Sequence, residues 1–258
     1  VFFCRYNPSK YILQESKNTY TLIIIICIMQ IPIYIINLKR ETKRKKNIIQ
    51  KLKSIGIYNY YFIDAIDGNN IEDINFKVMD NWLDPVEKRV INCGEIGCFL
   101  SHHKVWCKII DDEIERALIL EDDNVFNTGF NETMEYILNI ESNLYDLFYI
   151  SRIKNKVEKK EYNIREMISV PTYSYNCNAY ILTLRGAKKL VHTDCLNNVI
   201  PVDEYVPIMY DKDYPYLQYS SVFSKYDKLI ALSINHNITE QESRKKYPSS
   251  IINSRLYK

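Results

Sequence analysis

"ALILEDDNVF", residues 117–126, carries an unbroken apolar run, Ala117 to Leu120, straight into three adjacent carboxylates, Glu121, Asp122 and Asp123. An apolar run of four bounded by charge is the pattern of a strand buried on both faces, and such strands belong mostly to parallel sheets. In open α/β sheets, ligands bind just beyond the carboxyl ends of the strands. Three carboxylates in that position repel one another unless a cation shares them. Taken alone, the cluster reads as an acidic turn facing solvent. The neighbouring segments decide.

On the amino-terminal side, "IPIYIINL" (31–38) predicts a strand and "KRETKRKKNIIQKLKSIG" (39–56) a helix, with Ile48, Ile49 and Leu52 near one face and Gly56 at its stop. "YYFIDAIDG" (60–68) predicts a second strand ending in acids, and residues 69–92, polar and punctuated by Pro85, a loop or lid. "CGEIGCFLSHHKVWCKIIDDEIE" (93–115) predicts a helix whose buried stripe is Ile96, Phe99, Leu100, His103, Trp106, Cys107 and Ile110. Beyond the acidic cluster come a helix near 130–140, a strand at "DLFYIS" (146–151), a strand feeding a helix through Thr183 to Gly186, and a late strand at "LIALSI" (229–234). Alternation of this kind predicts an α/β fold with a mainly parallel sheet flanked by helices. The acids after the second strand, Asp64 and Asp67, then share one edge with Glu121 to Asp123. Such an oxygen-rich rim suits a hard divalent ion and a diphosphate.

The chain has 258 residues and a net charge of +2 from 34 basic and 32 acidic side chains, so no global field is directed at nucleic acid or an anionic membrane. Its length suits one large domain. Seven cysteines (Cys4, Cys27, Cys93, Cys98, Cys107, Cys177 and Cys195) form no C-x-x-C pair and read mostly as reduced thiols, which favours a reducing setting and leaves cytoplasm and secretory lumen as the two alternatives. Cys98 and Cys107 read as helix packing. Residues 20–38 approach the ~20 apolar residues of a membrane span, but Pro32 interrupts the run and its second half is required as a core strand. Membrane association is therefore expected only if that run acts as an anchor. Residues 1–28 read as an amino-terminal extension or appendage ahead of a natural start at Met29, with residues 29–258 forming one domain.

Six segments, in order, resemble glycosyltransferase family 25, which includes lipopolysaccharide and procollagen galactosyltransferases: "INLKRETKR" (36–44), "FIDAIDG" (62–68), "GEIGCFLSHHKVW" (94–106), "ALILEDDNVF", "TLRGAKKL" (183–190) and "PVDEYVPIMYDKDYP" (201–215). The last is most similar to the procollagen branch. The resemblance implies a GT-A fold, Rossmann-like in character, a UDP-sugar donor and usually Mn²⁺. It makes Glu121 and Asp123 the expected metal contacts and Asp122 a donor contact. By the same analogy, Asn37, Leu38, Ala65 and Asp67 hold the donor. Arg40 and Arg44, four residues apart at a helix start, reach phosphate or pair with Glu41 and Asp64. The helix opened by Gly94 to Gly97 aims free amides at the same edge. Ser101 and His102 match the family's Ser-His and are expected at the donor. His103 and Trp106, in the predicted stripe, read as core.

Asp203 and Glu204 are the expected catalytic acids. The procollagen enzymes form a β-linkage from an α-linked donor, so similarity implies inversion and a carboxylate base on the acceptor hydroxyl. The alternative for this pair is helix-start chemistry with Pro201. One departure stands out: where the procollagen enzymes carry a histidine-bearing segment after the last strand, this chain has "NITEQESRKKYPSS" (237–250), with His236 in a different context. The expected activity is metal-dependent transfer of galactose or glucose from a UDP-sugar to a hydroxyl of collagen-like protein or of a glycan. Two other readings of the same acids are a metal-dependent phosphoester hydrolase and a non-catalytic sugar-binding module.

Overall fold

The computed structural model describes residues 31–154, 161–242 and 256–257. The extension expected over residues 1–28, Met29 and most of the apolar run from residue 20 lie outside the described residues. The second half of that run is the central strand β1 (Ile33–Asn37), buried along its whole length. It pairs in parallel with β2 (Tyr61–Asp64) on one side and β3 (Arg116–Glu121) on the other. Because successive strand residues face opposite ways, Ile33 and Ile35 enter one apolar cluster while Tyr34 and Ile36 enter another. The first cluster is closed by Ile48 and Leu52 of α1 (Thr42–Ser54) and by Met134 and Ile137 of α3 (Phe130–Leu138). The second is closed by Phe99, Val105 and Trp106 of α2 (Cys93–Asp111). Ala117 to Leu120 is likewise divided between the two clusters, which is why that run shows no polar alternation.

The remaining strands are β4 (Asn124–Phe126), β5 (Leu147–Lys154), β6 (Tyr162–Arg165), β7 (Ile168–Val170), β8 (Ser174–Thr183), β9 (Ala231–Ile234) and β10 (Thr239–Gln241). Eight strands form one sheet in the order β2-β1-β3-β8-β5-β9-β7-β6, and β4 and β10 form a separate antiparallel pair. Strands β2, β1, β3, β5, β9 and β6 point one way, with β8 and β7 against them. The fold is thus the expected α/β class, with a sheet that is mixed because β8 is inserted antiparallel between β3 and β5. Helices α4 (Leu184–Val191), α5 (Val202–Tyr210) and the short α6 (Leu217–Ser220) complete the described chain.

From β1 the chain passes through α1 to β2, then returns through α2 to β3 on the other side of β1. That reversal is a topological switch point, the place where open α/β sheets bind ligands. The register sets Asn37 opposite Asp64, and Ile36 opposite Glu121, so these strand ends share one edge. Helix α2 meets that edge through a close backbone approach. A Cβ on Gly97 would lie 2.6 Å from both the Gly68 nitrogen and the Ile66 oxygen. The Ser101 hydroxyl, donating to the Gly97 carbonyl at 2.6 Å, accepts from the Ile66 amide at 2.8 Å.

The buried face of α2 is broader than the predicted stripe and includes Cys93, Gly97, Ser101, His102, Val105 and Ile109. The helix packs on the sheet while also meeting α4 and α5, so more than one stripe is enclosed. His102, which faces Tyr180 of β8 and Glu121 of β3, is the fully buried histidine and His103 is only half-buried, reversing the sequence assignment. Cys93, Cys98, Cys107, Cys177 and Cys195 are free thiols. Among the described residues, no helix is long and apolar enough to cross a membrane.

Candidate active site

At the end of β3 the three carboxylates go to different partners. Glu121 turns toward α2: its Oε1 lies 3.4 Å from His102 Nε2 and 3.6 Å from Cys98 Sγ, and its Oε2 accepts from Gln241 at 3.5 Å. Asp122 is buried and accepts from Asn37 Nδ2 at 2.6 Å. Arg44, in the first turn of α1, joins Asp122 to Asp123, its Nη2 lying 2.7 Å from an oxygen of each. The turn itself is fastened from below. Asn124 Nδ2 donates to the carbonyls of Glu121 and Asn178, both at 2.8 Å, and the Glu242 amide donates to the Asp123 carbonyl at 2.7 Å. Pairing of β10 with β4 brings Gln241 and Glu242 there.

The cluster holds more negative charge than Arg44 balances. Burial, then the charge of Glu121, pushes Asp123 up to about 7 against the pull of Arg44. Asp122 is pushed up to about 6, mainly by burial, against Arg44 and the Asn37 hydrogen bond. Burial also acts to raise Glu121, but the hydrogen bond from His102, the charge of Arg44 and the Cys98 thiol outweigh it and hold Glu121 below its ordinary value. The Cys98 thiol is pushed well up by burial and by Glu121. Burial opposes the charge on Arg44, yet Asp122 and Asp123 leave it net raised.

Asp123 Oδ1 is buried and has no hydrogen-bond partner, and neither has Arg44 Nε beside it. The contrast is Asp146, more deeply buried than Asp123 and at the opposite edge of the sheet. There one carboxylate accepts from Arg185, from Lys189 at 2.8 Å and from the Ile230 amide at 2.7 Å, and its acidity is strengthened. A buried carboxylate oxygen left unpaired costs free energy unless a ligand meets it. The all-oxygen donor set at Glu121 to Asp123 fits a hard divalent ion of the Mn²⁺ or Mg²⁺ kind. Among the described residues, the grouping whose ligand-type atoms lie within 4.8 Å of one another is Cys98, His102 and Glu121, which includes neither Asp122 nor Asp123.

The other expected donor contacts sit around this rim. Ala65 donates its amide to the Asn37 carbonyl at 3.0 Å, and the Leu38 carbonyl accepts from the Glu41 amide at 2.8 Å. Arg40 is ion-paired to Asp67 and, at 4.0 Å, to Glu41, whereas Asp64 pairs with Lys39 at 3.3 Å. The expected partnership of these arginines with Asp64 is therefore corrected. Asp64 ends β2 facing solvent, while Arg44 is directed inward by the helical turn. The first turn of α2 is also less open than expected, because Asn92 accepts from the Glu95 amide at 2.9 Å and Glu95 closes a capping box already gripped by Arg89.

Asp203 and Glu204 begin α5 but face different surroundings. Neither caps the helix: the N-cap is Pro201 with no side-chain bond, and Asp203 instead accepts from the Cys177 amide of β8 at 2.9 Å. Burial and then the charge of Glu121 raise the Asp203 carboxyl, which places Asp203 within electrostatic reach of the acidic rim. Glu204 is buried behind the hydroxyls of Tyr173, at 2.7 Å, and Tyr214, and is pushed up to about 7, chiefly by burial. Asn124, Asn178 and Tyr180 had no signal in the sequence, because Asn and Tyr are so abundant that no single one stands out, and Gln241 and Glu242 had none because the pairing of β10 with β4 brings them in from far along the chain. His236 is not among the partners of the cluster.

Residues 30–206 match the sequence profile of a family described as "Glycosyltransferase family 25 (LPS biosynthesis protein)". Procollagen galactosyltransferase 1-B of Xenopus laevis is 34% identical over 206 residues, covering 76% of this chain and 33% of that protein. Procollagen galactosyltransferase 2 of Homo sapiens is 33% identical over 206 residues, covering 76% and 32%. A protein of Drosophila melanogaster named Glycosyltransferase 25 family member is 34% identical over 210 residues, covering 78% and 34%. The chain thus spans about one third of the length of these relatives. A solved structure titled "crystal structure of a glycosyltransferase involved in the glycosylation of the major capsid of PBCV-1" aligns with 76% of this chain and 75% of that one, at 14% identity and a TM-score of 0.34.

Proposed function

The chain belongs to glycosyltransferase family 25, and from that premise we propose that it is a divalent-metal-dependent hexosyltransferase. In this reading residues 29–258 are the catalytic domain. The donor is UDP-galactose or UDP-glucose, and the acceptor is a hydroxyl on collagen-like protein, for which the names of the relatives speak, or on a glycan. The observation that carries the reading is the buried Asn37, Arg44, Asp122 and Asp123 cluster at the switch point, with one carboxylate oxygen of Asp123 unpaired.

Glu121 and Asp123 are the residues that would hold the metal. When bound there, a divalent ion supplies Lewis-acid stabilisation of the UDP leaving group. Asn37 fixes the orientation of Asp122, and Arg44 keeps Asp122 and Asp123 together as one face of the site. The backbone from Asn37 to Leu38 and from Ala65 to Asp67, clamped by Gly97 and Ser101, forms the uridine side. Arg40, half-exposed and paired with Asp67, closes that side.

Of the two candidate bases, Asp203 is the one this arrangement supports. It stands beside the acidic rim, held by the Cys177 amide, whereas Glu204 is sealed behind two phenols. Asp203 would take the proton of the acceptor hydroxyl as that oxygen attacks the anomeric carbon in line, which inverts its configuration. The test is UDP release with Mn²⁺ from UDP-galactose and UDP-glucose, with and without a hydroxylysine-containing collagen peptide. Acceptor-stimulated release that disappears in Asp123→Ala is the expected result. Release unaffected by that substitution would sink the assignment.

A further inference from the structure

Beside the acidic rim lies a run of buried polar groups that the proposed chemistry does not use. Trp106 Nε1 lies 2.9 Å from the Tyr180 hydroxyl, which lies 2.9 Å from His102 Nδ1, and His102 Nε2 lies 3.4 Å from Glu121 Oε1. Trp106, Tyr180 and His102 are each wholly buried, and the His102 and Tyr180 rings are stacked at 5.7 Å. We infer that these groups form a one-directional hydrogen-bond relay in which Trp106, Tyr180 and His102 orient the Glu121 carboxylate, making all three positioning residues for the proposed metal site.

The direction follows from what each group is able to do. An indole nitrogen only donates, so the Tyr180 oxygen accepts from Trp106. The Tyr180 proton then needs an acceptor in a wholly buried setting, and His102 Nδ1 is the ring nitrogen that faces it. A nitrogen that accepts carries no proton, so the His102 proton is on Nε2, aimed at Glu121. The Cys98 thiol at 3.6 Å addresses the same Oε1, leaving Oε2 to Gln241 at 3.5 Å on the open side.

This order of protons also decides what the grouping of Cys98, His102 and Glu121 does. A metal on His102 Nε2 would displace its proton to Nδ1, turn two donors onto the Tyr180 oxygen and strand the buried Tyr180 proton. The trio therefore acts on Glu121 through hydrogen bonds and is not itself a metal centre. Partners that orient a metal-binding carboxylate are worth 10- to 100-fold in metal affinity, roughly.

The inference rests on the reading of Glu121 as a metal contact, and its test separates the two. The ring nitrogens of ¹⁵N-histidine-labelled protein report the tautomer directly, and His102, one of four histidines, is assigned by the resonances lost in His102→Gln. Binding of Mn²⁺ alone is followed in parallel by electron paramagnetic resonance. The relay predicts the Nε2–H tautomer at His102. Tyr180→Phe should mix the tautomers and weaken Mn²⁺ binding about tenfold, with the circular dichroism spectrum unchanged. Where that variant does not fold, Trp106→Phe serves, with a smaller shift in the same direction. An Nδ1–H tautomer in the unmodified protein, or a Cys98-dependent thiolate charge-transfer band on adding Cd²⁺, would overturn the relay. Absence of Mn²⁺ binding in the unmodified protein would instead overturn the metal reading, while the tautomer would still decide the direction of the relay.

Discussion

Replacing Gly97 by alanine sets two physical effects of opposite sign against each other. In an ordinary helix interior, Gly→Ala stabilises by roughly 1 kcal/mol, since alanine loses less conformational freedom on folding. At position 97 of α2 the new Cβ would stand 2.6 Å from the Gly68 nitrogen, 2.6 Å from the Ile66 oxygen and 3.0 Å from the Gly68 Cα. Ordinary contact begins near ~3.5 Å, so two gaps fall short by roughly 0.9 Å, and all three obstacles are backbone atoms with no rotamer to change. Helix and loop must move apart, which also stretches the 2.8 Å bond from the Ile66 amide to Ser101. Overpacking costs about 1–3 kcal/mol in general, and with only backbone in the way the cost here belongs at the upper part of that range, about 2–3 kcal/mol, which exceeds the propensity gain. The expected outcome of urea unfolding is a lower midpoint with an unchanged slope, a net loss of about 1–2 kcal/mol. UDP binding should weaken as well, because residues 65–67 belong to the moved loop. A Gly97→Ala protein as stable as the parent or more so would refute the close approach between α2 and the β2 loop.

Further outcomes follow from the site. Asp123→Asn should abolish Mn²⁺-dependent UDP release while leaving the fold intact, since Arg44 keeps Asp122; Arg44→Met should destabilise the protein by about 3–5 kcal/mol, the scale for a buried charge deprived of its partner, as read by denaturant unfolding. Asp122, Asp123 and Glu204 are held up at about 6, 7 and 7 against roughly 4 in the unfolded chain. The folded state therefore binds more protons between pH 4 and 7, and metal-free stability should fall as pH rises through that window, with Mn²⁺ reducing the loss; denaturant midpoints at pH 5 and 7.5 measure it. Asp203→Asn should lower kcat at least a hundredfold with donor affinity retained, whereas Glu204→Gln should act on stability, by about 1–3 kcal/mol, and spare kcat; steady-state kinetics beside a melting curve separates the two.

Much of this architecture is legible in the chain because burial writes itself into composition. The run from Ala117 to Leu120 lacks polar alternation because both faces of β3 are covered, and the acids follow at once because the strand ends where the sheet meets solvent. Thr183 announced α4 through a cap that accepts from the Gly186 amide at 3.0 Å. What stayed hidden depends on contacts remote in sequence. His102 and His103 are adjacent, and the packing of α2 on the sheet, where His102 meets Tyr180 of β8 and Glu121 of β3, decides which one is enclosed. Asp203 and Glu204 are likewise adjacent, yet one meets the Cys177 amide and the other the phenols, a choice set by β8 and the segment around Tyr214. Gln241 and Glu242 joined the site through pairing of β10 with β4, a short antiparallel contact that periodicity does not foresee. The antiparallel placement of β8 was hidden for the same reason, since strand direction is a property of the connection and not of the strand.

The most direct test of the account is the affinity for UDP, measured by calorimetry with and without Mn²⁺, in the parent protein and in Asp123→Asn. The account predicts binding at least tenfold tighter with the metal, and loss of that enhancement in the variant. UDP binding that is indifferent to Mn²⁺, or equally enhanced by it in Asp123→Asn, would contradict the assignment of Glu121 to Asp123 as the metal and diphosphate site.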